Sequence, residues 1–136
     1  MLVREGMTKV VLTVGPGHTL REAARAMCRR NVGAAVVLDP EGQGPGLITE
    51  RDLLLSVGAG KDPDRERVAD HLTAKLTFAS PDWSLEHAAA AMVRGAFRHL
   101  VVVDDGELVG ILSMRDVVRV WIGDGASCEV PAGARA

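Results

Sequence analysis

Apolar and polar residues follow two rhythms along this chain, and the pair of rhythms occurs twice. A β-branched run at residues 10–14 stops before Pro16, and Thr19 then stands three positions ahead of Glu22. That spacing predicts a helix N-cap with a capping box: the hydroxyl accepts an early backbone N–H, and the carboxylate reaches back to the cap. From there Leu20, Ala24, Met27 and Cys28 recur at helical spacing, which predicts one face turned to a core and a buried Cys28. A dense apolar strand at 34–38, a turn containing Gly and Asp, a shorter strand at 46–48 and a second helix entered at "GLITERDLLL" complete the pattern.

Offset by 65 positions, "VREGMTKVVLTVGPGHTLREAARAM" from Val3 aligns without a gap on "VADHLTAKLTFASPDWSLEHAAAAM" from Val68. Thr19 meets Ser84, Met27 meets Met92, and Glu22 meets His87, so the second cap lacks its carboxylate. In the second copy the expected strands lie at 75–79, 100–103 and 108–112, and Leu85, Ala89, Met92 and Val93 form the expected helix face. One residue drops out in the turn, after which "GLITERD" meets "GILSMRD". An internal repeat of this kind sets the fold. The expectation is a mixed α+β or α/β chain of two β-α-β-β-α repeats packed as a pseudo-two-fold pair. Repeat one with its polar joint "GAGKDPDRER" covers 1–66, repeat two covers 67–122, and 123–136 forms a flexible tail carrying an exposed Cys128.

The second helices, "DLLLSV" and "DVVRVWI", are apolar around more of their circumference than one core stripe requires. Either the core wraps both helices, or a second copy covers them in a homodimer. The latter is expected.

Composition narrows the classes of function. At 136 residues and 47% apolar content the chain supports one compact core or two small packed halves. A formal charge of −2 gives no broad positive field for nucleic acid, and two Trp, two Phe and no Tyr give no stacking platform for bases. No apolar run reaches the roughly 18 residues of a membrane span, and the opening residues lack the apolar core of a signal peptide, so the expected location is cytoplasmic. The two Cys and four His show no metal-ligand spacing, and no metal is expected. "GAGKD" fails the phosphate-loop pattern on both sides, and "GQGPG" lies between two strands as a turn. No nucleophile, base and orienting group recur together, so an enzyme is not expected.

The doubled end motif pairs a hydroxyl with a carboxylate three residues on, Thr49 with Asp52 and Ser113 with Asp116. On the residues alone the capping reading is favoured, because Thr-x-x-Asp at a helix start satisfies orphan N–H groups and duplication copies a cap as faithfully as a site. The alternative is a nucleoside site, with the carboxylate accepting from ribose hydroxyls and the helix N-terminus favouring phosphate.

The two motifs, glycine, apolar, any, Ser or Thr, any, any, Asp, at Gly46–Asp52 and Gly110–Asp116, together with the repeat around them, resemble the CBS-domain pair, or Bateman module. The resemblance covers Val3 to about Ile122. It implies a disc-shaped homodimer and a regulatory module whose two clefts take adenosine-containing ligands such as AMP, ADP, ATP or S-adenosylmethionine, with no cofactor required and the binding state passed to a regulated protein. It also implies that Thr49 and Asp52 are joined by Leu76 and Thr77 and by Arg98 and His99, the latter pair as phosphate contacts. Ser113 and Asp116 would be joined by Val11, Leu12, Gly33 and Ala34, an apolar slot without a cation. The resemblance tips the choice from cap to ligand and makes the Thr49 site the better one for phosphate. Val36 and Val101 stand where many relatives carry Pro, and Glu50 adds a negative charge beside Thr49.

Overall fold

The computed structural model describes residues 1–42 and 44–123, in two compact units: Lys9–Phe78, and Met1–Thr8 with the chain from Ala79 onward. The expected flexible tail and Cys128 lie outside the described residues, apart from Gly123, which ends the last helix.

The unit at Lys9–Phe78 holds β1 (Thr13–Val14), α2 (Leu20–Arg30), β2 (Ala34–Val37), β3 (Gly46–Thr49) and α3 (Glu50–Gly58), followed by a single 3-10 turn at Val68–Asp70. Its sheet runs β1-β2-β3, with β1 parallel and β3 antiparallel to β2. The other unit opens with α1 (Val3–Gly6) and continues through β4 (Phe78–Ala79), α4 (Leu85–Gly95), β5 (His99–Asp104), β6 (Glu107–Ser113) and α5 (Met114–Gly123), with the sheet ordered β4-β5-β6. The expected alternation of elements is present in both. The β5–β6 hairpin closes through Asp105 and Gly106, both at positive φ, the turn that suits the twist of paired strands.

The leading strands are shorter than the apolar runs suggested. Val10 is 73% exposed, and only Thr13 and Val14 pair with β2. The expected helix faces are rotated by one position. Leu20, Ala23 and Met27 are buried in α2 and Leu85, Ala88 and Met92 in α4, an i, i+3, i+7 stripe. Cys28 is therefore exposed, contrary to expectation, because it lies about 100° round the helix from Met27. Val93, its counterpart, is exposed for the same reason.

The compact units do not coincide with the sequence repeats 1–66 and 67–122, because the leading arms are exchanged. Val3 N–H donates to Trp83 O at 2.8 Å and Arg4 N–H to Pro81 O at 3.0 Å. The equivalent bonds run from Val68 to His18 O at 2.8 Å and from Ala69 to Pro16 O at 3.0 Å. Each arm then bonds reciprocally to the last strand of its unit, Thr8 with Ile111 and Thr73 with Leu47. The arm that opens one sequence copy thus completes the unit of the other. Val3 and Val68 are fully buried by these contacts, each within the core cluster of its own unit. Among the described residues no helix is long and apolar enough to cross a membrane.

Candidate functional site

Each end motif stands where the last strand of a unit gives way to its last helix. Thr49 is the N-cap of α3, its Oγ1 accepting from Asp52 N–H at 3.3 Å. Asp52 Oδ2 accepts in return from Thr49 N–H at 2.9 Å and from its hydroxyl at 3.0 Å. Ser113 Oγ likewise accepts from Asp116 N–H at 2.9 Å, and Asp116 Oδ2 accepts from Ser113 N–H at 2.9 Å. Both motifs are therefore capping boxes, and each satisfies donors that a helix start leaves orphaned.

The boxes use one oxygen of each carboxylate. Asp52 Oδ1 has no hydrogen-bond partner among the described residues. Asp116 Oδ1 accepts from Arg119 Nη2 at 3.3 Å, and the same nitrogen donates to Gly6 O at 3.0 Å. Arg119 was not anticipated, although its i+3 spacing from Asp116 is the spacing of a helical ion pair. The equivalent position in the first copy is Leu55, so Asp52 has no such partner.

The glycine that opens each motif is required by the arm. A Cβ at Gly110 would meet Thr8 O at 2.9 Å and Met7 Sδ at 2.8 Å; one at Gly46 would meet Leu72 Cδ1 at 2.9 Å and Thr73 O at 3.3 Å. Only a residue without a side chain lets the arm pair with the strand at this distance.

Beside each motif the preceding strand supplies the residues singled out in the sequence. Ala34 is the cross-strand partner of Thr49, and Glu50 N–H donates to Gly33 O at 2.9 Å. His99 pairs with Ser113, and Met114 N–H donates to Arg98 O at 2.8 Å. The backbone arrangement is the same in both units, but the side chains invert its charge. The Glu50 carboxylate lies against Gly33, with Oε1 3.0 Å from where a Cβ would stand. In the other unit the same two positions hold Arg98, which is exposed, and Met114.

Of the residues expected to serve the Thr49 motif, Leu76 and Thr77 share its unit, whereas Arg98 and His99 belong to the unit of Ser113 and Asp116. Val11, Leu12, Gly33 and Ala34, expected to serve the Ser113 motif, belong to the unit of Thr49. Leu12 packs on that unit's core, Val11 and Leu76 are half-buried, and Thr77 is exposed. No group of His, Cys, Asp and Glu that could hold a metal ion occurs among the described residues.

A family model, the CBS domain, matches residues 3–58 and again 68–123. The chain belongs to the CBS-domain family. The CBS domain-containing protein YhcV of Bacillus subtilis is 36% identical over 115 residues, 85% of this chain and 81% of that protein. Protein MJ1225 of Methanocaldococcus jannaschii is 34% identical over 131 residues, 96% of this chain, which spans 46% of that relative's length. Among solved structures, the CBS domain pair of protein MJ0100 in complex with 5′-methylthioadenosine and S-adenosylmethionine superposes with a TM-score of 0.81. It shares 25% identity and covers 91% of this chain and 98% of the other. The two CBS domains seen in this sequence thus have the secondary structure of solved CBS pairs, with an end motif in each.

Proposed function

We propose that this CBS pair is a regulatory module that binds an adenosine-containing ligand and releases it unchanged, with Asp52 as its principal ribose acceptor. The observation that carries this reading is the unpartnered Oδ1 of Asp52 at a helix start whose other cap groups are already satisfied. A cap alone needs one carboxylate oxygen; the second is left to accept a ribose hydroxyl. The complex formed by MJ0100 with two adenosyl compounds supports the ligand class. Arg98 is the phosphate-facing cation of the pair, and Glu50 disfavours phosphate in its own neighbourhood.

The apolar surface of the second helices supports a homodimer. Leu54, Leu55 and Val57 on α3 are 69%, 61% and 57% exposed, and Trp121 on α5 is 61% exposed, so the core of a single chain does not cover them. A second copy burying these faces would remove water from them, and Leu54→Glu or Trp121→Glu would then shift the mass measured by light scattering from dimer to monomer.

Thermal-shift titration with AMP, ADP, ATP, S-adenosylmethionine and 5′-methylthioadenosine tests the ligand reading, because a ligand bound only by the folded state raises its stability. At least one should raise Tm at sub-millimolar concentration, and calorimetry should show a loss of about tenfold or more for Asp52→Ala, with a smaller loss for Asp116→Ala. No shift at millimolar concentration would leave the two motifs as helix caps within an interaction module, whereas equal losses from both variants would remove the asymmetry between them. Nucleotide recovered intact after long incubation is expected; turnover that disappears in Asp52→Ala would replace the sensor with a hydrolase.

A further inference from the structure

The face of α2 that carries Arg25 and Arg29 turns toward β1 and the loop before the helix, and a half-open surface cavity of about 400 Å³ lies there. Five residues supply its polar lining: Thr13, His18, Glu22, Arg25 and Arg29. The other two arginines of this helix that bond to the unit are engaged elsewhere, Arg21 with Asp64 and Arg30 with Val10 O. Arg25 and Arg29 make no hydrogen bond or ion pair among the described residues. They are one helical turn apart and line the same cavity. His18 Nδ1 accepts from Gly15 N–H at 2.8 Å, which places the ring proton on Nε2 and makes that nitrogen a donor. The Glu22 carboxylate is held back to the cap, Oε1 accepting from Thr19 N–H at 3.2 Å and from its hydroxyl at 3.1 Å.

The fold itself does not require this lining. In the other repeat the corresponding positions are Trp83 for His18, His87 for Glu22 and Ala90 for Arg25, with Arg94 retained for Arg29. There the indole of Trp83 stands edge-on to His87, ring centres 4.4 Å apart, and packs on the core. Phe78 replaces Thr13 on the strand. One copy fills the position with aromatic rings, and the other leaves it open and lined by unpaired guanidinium groups.

We propose that this cavity is a second binding site, separate from the end motifs, for a phosphate-type oxyanion, present as inorganic phosphate or as the phosphoryl group of a small metabolite. Arg25 and Arg29 present two planar forks to the oxyanion, and His18 Nε2–H adds a neutral donor at the rim. Glu22 lowers the positive charge of the site without removing it, and Asp64, whose charge also reaches Arg25, is already engaged by Arg21. The site selects by fork geometry as well as charge, so pyrophosphate, which can occupy both forks at once, binds more tightly than orthophosphate.

The test is a titration of the full chain with sodium phosphate and with pyrophosphate at constant ionic strength, followed by backbone amide NMR. Saturable shifts centred on His18, Arg25 and Arg29 are expected, tighter for pyrophosphate. The double variant Arg25→Gln, Arg29→Gln should weaken both by about tenfold or more, while Arg94→Gln, the matching position of the other repeat, should bind as the parent does. Both altered arginines are exposed, and the amide spectrum of the variant reports whether the fold is retained. Shifts that do not saturate, binding unchanged in the double variant, or a loss that follows Arg94 instead would overturn the proposal. The end-motif reading is tested separately by the adenosyl titrations of Asp52→Ala, so either can fail alone.

Discussion

The two helix starts at Thr49 and Ser113 share a backbone and differ in nearly everything a ligand would meet. Both close a capping box with one carboxylate oxygen, and both bond the first helical N–H to the carbonyl of the residue just before the neighbouring strand, Gly33 in one and Arg98 in the other. What is common to them is explained by the needs of a helix terminus and a sheet edge. What differs is the second carboxylate oxygen, open at Asp52 and taken by Arg119 at Asp116, and the flanking charge, Glu50 in one and Arg98 in the other. Motif identity therefore reports the fold, and any unequal use of the two motifs has to be sought in residues outside the motif.

The largest expected difference concerns the opening glycines. Gly110→Ala should cost about 2–3 kcal/mol, because the atom its Cβ meets at 2.9 Å is the backbone oxygen of Thr8, which cannot move without breaking the reciprocal bond to Ile111. Gly46→Ala should cost about 1 kcal/mol, since its nearest obstacle is the tip of the Leu72 side chain and the Thr73 oxygen stands further off, at 3.3 Å. Urea unfolding of the two variants measures the difference. Equal costs would mean that the two arms are held alike.

Next in size is the charge inversion. Arg98→Gln should weaken AMP or ATP by about tenfold and leave 5′-methylthioadenosine, which has no phosphate, unchanged. Glu50→Gln should act in the opposite direction, strengthening nucleotide binding by a few-fold at low salt and less at high salt, because both side chains are exposed. Isothermal titration of each variant with a phosphorylated and an unphosphorylated adenosyl ligand separates these outcomes. Parallel losses for both ligands in Arg98→Gln would show that the arginine does not read phosphate.

A smaller contrast lies one turn further along the last helices. Ser56 is 4% exposed and its hydroxyl has no partner among the described residues, whereas the corresponding residue of α5 is Val120, packed in the core of its unit. Ser56→Ala should therefore be neutral or stabilising by up to about 1 kcal/mol, since it removes an unsatisfied buried hydroxyl. Val120→Ala should destabilise by about 1–2 kcal/mol through lost apolar burial. A destabilising Ser56→Ala in the same unfolding experiment would mean that the hydroxyl finds a partner in solution.

The order of elements, both hydroxyl caps and the doubled motif were readable because each has a local cause, in apolar spacing or in a side chain three residues from its partner. The exchanged arms were not. Their bonds join residues such as Thr8 and Ile111 that are remote in sequence, and each arm resembles the start of the repeat it precedes rather than the unit it completes. Cys28 was misplaced by a single position, because Ala23 and Ala24 offer the apolar stripe two phases and only packing against the sheet chooses between them. The candidate site was legible as motif residues. The residue types that distinguish its two versions, Glu50 against Met114 and Arg119 against Leu55, stand in the sequence, but that Glu50 folds on Gly33 and Arg119 reaches Asp116 depends on side-chain direction.

The smallest expected effect compares the caps of the first helices. Thr19 is boxed with Glu22, whose carboxyl is held below its ordinary range first by the Thr19 backbone N–H, then by its hydroxyl and by the nearby positive groups. Asp64 is lowered chiefly by its hydrogen bond to Arg21. A carboxylate lowered in the folded state contributes stability that is present above its unfolded value and lost as pH falls through the folded one. The penalty of Thr19→Ala, which removes the hydroxyl partner of Glu22, should therefore shrink as pH drops below about 4. Ser84 caps α4, its hydroxyl accepting from His87 N–H at 3.0 Å with no acid hydrogen-bonded to it among the described residues. The penalty of Ser84→Ala should consequently be the same across that acid range. Thermal unfolding of the two variants between neutral pH and pH 3.5 checks the pair, and an equal acid dependence in both would remove Glu22 from the account of the first cap.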